Sequence, residues 1–136
     1  MKKAKELLWN LKAKEIAVLG LSFKKDTDDV RESPAIDIIA ALLKEGASVK
    51  CYDPEAAENM KSFFPDIVYC ENPYSAAENA ALLIFLTEWD EFKTLDFGKL
   101  KKIMSMPHVI DGRNFIDAKK LKDAGFIYRF IGRDKV

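Results

Sequence analysis

Basic and aromatic side chains follow the first apolar run of this sequence, and their types suit the binding of an anion. Phe23, Lys24 and Arg31 lie between that run and Ser33-Pro34, a pair typical of a helix N-terminus. The free N–H groups and the positive dipole end of such a helix attract the same anions as the cations do. We therefore predict that this segment binds a phosphorylated ligand.

A second cation, Arg113, follows a later apolar run. The planar guanidinium of arginine suits bidentate phosphate binding, whereas the ammonium of Lys24 acts as a compact point charge. An alternative stays open for each side chain. Arg113 could instead pair with Asp111 or Glu88, and a lysine in a charged loop such as Lys24 is commonly solvated.

Two further features of the first loop have alternative interpretations. The ring of Phe23 suits stacking on a planar ligand, but it could also hold the loop onto the core. Asp28 and Asp29 form an acidic pair of the kind that binds metals, although a solvated turn is the commoner role of such a pair. We expect the turn and predict no metal site.

Apolar runs and helical patterns alternate along the chain. We predict helices at 1–11, 34–45, 55–63, 74–79 and 118–124, and a polar helix over 92–104 that is interrupted at Phe97-Gly98. The predicted strands are 16–21, 48–52, 67–69, 81–87, 109–110 and 126–131. Because the connections are too long for hairpins, they predict an α/β fold with a Rossmann-like, doubly wound parallel sheet and helices on both faces. Ligands of such sheets bind beyond the carboxyl ends of the strands, which places 22–32, Asp53, 87–89 and 111–113 at one edge.

The first turn argues against a dinucleotide-binding domain that acts alone. The G-x-G-x-x-G fingerprint lets the backbone approach a pyrophosphate, but this chain has only Gly20, with Phe23 and Lys24 further along the turn.

A phospho-receiver domain is a second alternative with the same architecture. It needs an aspartate after the third strand and a lysine after the fifth, where this chain has Tyr69-Cys70 and 111–113.

The composition argues against several kinds of partner. Lysine plus arginine and aspartate plus glutamate both number 22, so the net charge is zero and no global field attracts nucleic acid or an anionic membrane. The longest apolar run, 81–86, is far shorter than the roughly 20 residues that span a bilayer. The N-terminus lacks the apolar core of a signal peptide. We therefore expect a cytoplasmic protein.

Nucleophilic and metal chemistry lack their usual residues. Cys51 and Cys70 are the two cysteines, without CxxC spacing, so we expect buried, reduced thiols. His108 is the single histidine, which argues against a histidine cluster or triad within one chain. We predict no catalytic residue and no metal ligand in this chain.

Five sequence blocks occur in a specific order and cover nearly all of 15–133. They read GLSFKKDTDDVRESPA at 20–35, YDP at 52–54, TEWDEF at 87–92, DGRN at 111–114 and GFIYRFIGR at 125–133. Together they resemble the C-terminal domain of the UDP-glucose/GDP-mannose dehydrogenase family. In that family this domain binds the nucleotide part of a sugar nucleotide.

The resemblance implies roles for four residues. Phe23 and Lys24 of the FK motif and Arg113 of the DGR motif are implied to contact a UDP-sugar, and Arg31 to reach NAD. The NAD would be held mainly by an N-terminal domain, and the catalytic cysteine would lie in a helical region that follows it. This chain lacks both parts. TEWDEF at 87–92 is more similar to the UDP-glucose branch than to the UDP-aminosugar or GDP-mannose branches.

The resemblance also predicts how the chain is organised. Residues 1–14 resemble the tail of an interdomain helix, and 15–136 the nucleotide-sugar-binding domain. Without the rest of the enzyme, a stripe of Leu7, Leu8, Trp9 and Leu11 would be uncovered, which favours pairing of two copies over docking on its own domain or fraying.

Two functions remain open at this point. In the first, the chain is an excised domain or a truncated reading frame of a UDP-glucose 6-dehydrogenase of polysaccharide biosynthesis. It would then be inactive without its missing N-terminal part. Alternatively, it is a separate, non-catalytic module that binds or senses a nucleotide sugar.

Overall fold

The fold is built on one parallel sheet. The structure, a computed structural model, describes residues 2–8 and 10–130. Six strands lie in the order β3-β2-β1-β4-β5-β6, and every neighbouring pair is parallel. Their bounds are β1 (Glu15–Leu19), β2 (Ser48–Tyr52), β3 (Val68–Tyr69), β4 (Leu82–Phe85), β5 (His108–Asp111) and β6 (Ile127–Phe130). This order is that of the doubly wound dinucleotide-binding fold, so the predicted fold class is confirmed.

Seven helices connect or flank the strands within the described residues. They are α1 (Lys2–Leu8), α2 (Pro34–Lys44), α3 (Ala57–Lys61), α4 (Pro73–Ala77), α5 (Asp90–Lys93), α6 (Phe97–Ile103) and α7 (Ala118–Ala124). The prediction that a helix is interrupted at Phe97-Gly98 is wrong. The break lies at 94–96, because Asp96 caps α6 by accepting the Lys99 N–H at 3.0 Å. The predicted end of the last strand, Ile131, lies outside the described residues.

Apolar side chains cover both faces of the sheet. Along β1, Ile16 and Val18 belong to one core cluster, to which α1, α2 and α3 contribute. Ala17 and Leu19 belong to the other, to which α4, α5, α6 and α7 contribute. Since both faces are buried, β1 needs an unbroken apolar run rather than an alternating one.

Helix α1 docks on its own domain. The side chains of Leu8 and Leu11 are only 5% and 2% exposed, and both belong to the core cluster that includes α2. Lys5 also forms an ion pair of 2.9 Å with Glu45 at the end of α2. The expectation that these two leucines are uncovered is therefore wrong, because Leu8 at the end of α1 and Leu11 just after it are buried in the core cluster on one face of the sheet. Pairing of two copies stays a prediction. Trp9 lies outside the described residues.

Replacing Leu8 by alanine is expected to lower the free energy of unfolding by about 2–3 kcal/mol, because it leaves a cavity in a packed core. Leu43→Ala is the matched control, since Leu43 is 38% exposed and should cost less than about 1 kcal/mol. Urea unfolding followed by circular dichroism measures both. Equal losses would contradict the docking of α1.

Candidate functional site

The candidate site lies where four strand ends meet. Strands β1 and β4 are neighbours in the sheet although they are distant in sequence, and β2 and β5 flank them. The chain therefore changes direction across the sheet between β1 and β4, which is where ligands of doubly wound sheets bind. The loops that leave these strands carry Phe23, Lys24, Arg31 and Arg113.

Asp53, directly after β2, holds three of these loops together. Its side chain is buried, and Oδ2 accepts the backbone N–H groups of Leu21 at 2.7 Å and Ser22 at 3.1 Å. The same oxygen accepts the indole N–H of Trp89 at 3.0 Å. The other oxygen, Oδ1, accepts two N–H groups of the turn after β2, those of Glu55 and Ala56. The loops after β1 and β4 are thus fixed relative to β2 by one carboxylate.

The loops after β1 and β4 also touch each other directly. Gly20 has a φ of 99°, and a Cβ placed on it would lie 2.5 Å from the backbone nitrogen of Thr87. The Thr87 hydroxyl donates a hydrogen bond of 2.7 Å to the carbonyl of Ser22. These contacts fix the loop after β1 against the loop after β4.

A second buried carboxylate, Asp111, shapes the turn after β5. Its Oδ1 accepts the N–H groups of Arg113 at 2.9 Å and Asn114 at 2.8 Å. Its Oδ2 accepts those of Phe115 at 2.8 Å and Ile116 at 2.7 Å. This side chain has no exposed surface and takes the place of water as the acceptor for four backbone N–H groups. It thereby fixes the backbone position of Arg113.

The sequence pattern places Asp53 and Asp111 at the strand ends, but the role of these carboxylates as loop acceptors was missed. The available signal was an aspartate directly after an apolar strand and directly before Pro54 or Gly112. Such a carboxylate is poised to accept the N–H groups of the turn that follows.

Arg113 pairs with Glu88, one of the two alternatives from the sequence. Nη2 lies 3.2 Å from Oε1 and 3.3 Å from Oε2 of Glu88, and the two side chains are 28% and 32% exposed. Asp111 instead accepts the backbone N–H of Arg113. Within the described part of the chain, Nε and Nη1 of Arg113 form no hydrogen bond or ion pair, so they are open to a ligand.

Phe23 and Lys24 lie together on the loop after β1. The Phe23 N–H donates to the carbonyl of Asp29 at 2.9 Å, and the Ser22 hydroxyl donates to the carbonyl of Lys24 at 2.8 Å. The Lys24 ammonium lies 5.4 Å from the centre of the Phe23 ring. Phe23 is half-buried and Lys24 is exposed, which leaves the lysine charge accessible to an anion.

Arg31 shares a cleft with Phe23. Its Nε and Nη2 bind the two oxygens of Asp29 at 3.1 and 2.9 Å, and hydrogen bonding to Arg31 lowers the pKa of Asp29. A cleft of about 250 Å³ is lined by Phe23, Asp29, Arg31 and Glu32. The structure therefore brings Phe23 and Arg31 together. Arg113 does not line this cleft. It lies at the same edge of the sheet, after β5, and contacts Glu88 in the loop after β4.

The N-terminus of α2 does not offer its first N–H groups to an anion. Ser33 caps the helix as predicted, and its hydroxyl accepts the Ala35 N–H at 3.1 Å. The Ile36 N–H donates to the Ser33 carbonyl, and Pro34 has no N–H. These two N–H groups are therefore already bonded within the chain, and the binding of a phosphorylated ligand stays a prediction that rests on the cations.

A family model described as the UDP-glucose/GDP-mannose dehydrogenase family, UDP binding domain, matches residues 17–118. The chain belongs to this family. The match includes the turns that carry Phe23, Lys24, Arg31 and Arg113, and thus the whole candidate site.

Relatives in the family share much of this sequence. The chain is 44% identical over 124 residues to UDP-glucose 6-dehydrogenase of Rhizobium meliloti (strain 1021), covering 91% of this chain. It is 40% identical over 131 residues to UDP-glucose 6-dehydrogenase TuaD of Bacillus subtilis (strain 168), covering 96%. The chain spans about 28% of the length of each of these curated relatives.

Solved structures of family members have the same fold over the same part. NDP-N-acetyl-D-galactosaminuronic acid dehydrogenase from Methanosarcina mazei Go1 superposes with a TM-score of 0.82 at 30% identity, covering 97% of this chain and 27% of that one. A UDP-glucose dehydrogenase from Pyrobaculum islandicum superposes with a TM-score of 0.79 at 32% identity, covering 94% of this chain and 27% of that one.

None of the helices in the described residues has the length and hydrophobicity that a bilayer crossing requires.

Both cysteines are free thiols. Cys51 is buried, and burial raises its pKa to about 12, so its thiolate is scarce at neutral pH. Cys70 is only half-buried, which differs from the expectation of two buried thiols, and burial raises its pKa as well. Although the nearby charge of Lys50 lowers the pKa of Cys70, burial is the larger effect, so neither cysteine has the lowered pKa of an activated nucleophile.

Proposed function

We propose that this chain is the UDP-binding part of an NAD-dependent UDP-glucose 6-dehydrogenase, which oxidises UDP-glucose to UDP-glucuronate. The two curated relatives described above are 40–44% identical to the chain, and both are named as UDP-glucose 6-dehydrogenases. These names support UDP-glucose as the substrate. Because the chain corresponds to about 28% of those relatives, we expect it to be inactive by itself.

The observation that carries this proposal is the placement of Arg113. A buried carboxylate fixes its backbone, and Nε and Nη1 have no partner among the described residues. In the proposed complex, Arg113 and Lys24 bind the diphosphate, and Phe23 packs against the nucleotide sugar. Charge-assisted hydrogen bonds from two cations are well suited to a diphosphate.

NAD is proposed to bind outside this chain. The turn after β1 has Phe23 and Lys24 in place of the later glycines of the dinucleotide fingerprint, so the residues present do not fit NAD as a resident ligand. Arg31, with 84% of its side chain exposed in the Phe23 cleft, is proposed to face NAD held by the N-terminal part. A cytoplasmic location and a role in polysaccharide biosynthesis stay predictions.

Titration of the chain with UDP, followed by NMR, tests the proposed site. We expect a dissociation constant of about 0.1 to several mM, because the contacts of the other domain are missing. Arg113→Ala should weaken binding by about 10- to 100-fold through the loss of a charge-assisted contact. Arg129→Ala is the matched control, since Arg129 lies on β6 and its guanidinium bonds the carbonyl of its neighbour Tyr128.

The same titration with UDP tests Lys24, with its neighbour Lys25 as the control. Lys24→Ala should weaken UDP binding, whereas Lys25→Ala should change it little, because Lys25 is paired with Asp90 at 3.4 Å. Unchanged affinity in Arg113→Ala and Lys24→Ala would contradict the proposed site. Formation of NADH from UDP-glucose and NAD by the chain alone would contradict its expected inactivity.

A further inference from the structure

Glu88 is fixed from both sides along the chain. It lies between Thr87, whose hydroxyl bonds the Ser22 carbonyl, and Trp89, whose indole bonds the buried Asp53. Its neighbours therefore cannot move without breaking buried hydrogen bonds, and the backbone of Glu88 has a defined position.

The contact of Glu88 with Arg113 engages only one nitrogen of the guanidinium. Both carboxylate oxygens lie 3.2–3.3 Å from Nη2. In the pair of Arg31 with Asp29, by contrast, Nε and Nη2 are both bound, so that face of the guanidinium is occupied. Glu88 thus contacts the guanidinium of Arg113 through Nη2 and leaves Nε and Nη1 available to a ligand.

We propose that Glu88 is a positioning residue that holds the Arg113 guanidinium in the orientation that binds a diphosphate. The inference rests on the proposed function, in which Arg113 contacts that diphosphate. A free arginine side chain loses much rotamer freedom when a ligand orders it, and a preformed contact reduces this loss. The pairing of Glu88 with Arg113 reduces the repulsion between this carboxylate and a bound diphosphate.

A double-mutant cycle on UDP binding tests the proposal. Glu88→Ala should weaken binding by about 3- to 10-fold, the loss expected from one side chain that the ligand must order. Glu88→Gln should stay within about twofold of the parent, because its amide oxygen still accepts from Nη2. In the Arg113→Ala background, Glu88→Ala should have no further effect. Glu71→Ala removes an exposed carboxylate elsewhere and serves as the control.

The outcomes separate the inference from the proposed function. If Arg113→Ala binds UDP as the parent does, the assignment of Arg113 fails. If Arg113→Ala weakens binding but Glu88→Ala leaves it unchanged or tightens it, Glu88 has no positioning role. The same conclusion follows if Glu88→Ala weakens binding equally in both backgrounds. Glu88→Met, which keeps the packing volume without an acceptor, replaces the alanine variant if that does not fold.

Discussion

Replacing Gly20 by alanine is expected to lower the free energy of unfolding by about 2–5 kcal/mol. A φ of 99° is unfavourable for any residue with a Cβ and costs about 1–2 kcal/mol. The new Cβ would also lie 2.5 Å from the Thr87 nitrogen and 2.7 Å from its Cβ, and such overpacking adds about 1–3 kcal/mol. The atoms in the way are backbone and a β-branched side chain, so little can move aside.

Gly46→Ala separates these two contributions. Gly46 has a similar φ of 89°, but the nearest atom to a Cβ placed on it belongs to the flexible Lys12 side chain, at 3.4 Å. This variant should therefore cost only the backbone term of about 1–2 kcal/mol. Urea unfolding of both variants gives the comparison. Equal losses would show that the close contact between the loops after β1 and β4 is not required.

The elements of the fold could be predicted because their causes are local. The apolar runs predicted all six strands, and Gly46 and Gly125 predicted the ends of two helices. The last helix, 118–124, and the second strand, 48–52, were predicted with their observed bounds. Strands β1 and β4 were predicted to end too late, since apolar residues such as Leu21 continue into buried loops, whereas the prediction 109–110 is shorter than β5.

The candidate site was predictable only where its signals are local. Basic residues after a strand identified Lys24 and Arg113, but the bond from Leu21 to Asp53 joins residues 32 apart, and that from Trp89 joins residues 36 apart. No local pattern encodes such pairing. The start of α2 shows a different limit of local patterns. The Ser33-Pro34 pattern predicted the cap correctly, but the cap itself bonds an N–H group that was expected to be available to an anion.

Replacing Asp111 by alanine is expected to lower the free energy of unfolding by more than about 4 kcal/mol. Four backbone N–H groups would lose their acceptor in a turn where Asp111 has no exposed surface. Each buried donor left without a partner costs about 1–3 kcal/mol, although water entering the turn recovers part of this. Asp117→Ala is the control, because it removes only an exposed helix cap worth about 1 kcal/mol.

Asp111→Asn distinguishes the role of Asp111 in the turn from its role in ligand binding. One asparagine oxygen can still accept two N–H groups, but its amide nitrogen faces the other two donors. This variant should therefore be less destabilised than alanine while the turn that carries Arg113 is displaced. We expect folded Asp111→Asn to bind UDP more weakly than the parent, with altered NMR signals confined to 111–116. Unchanged affinity with an altered turn would mean that the backbone position of Arg113 does not limit UDP binding.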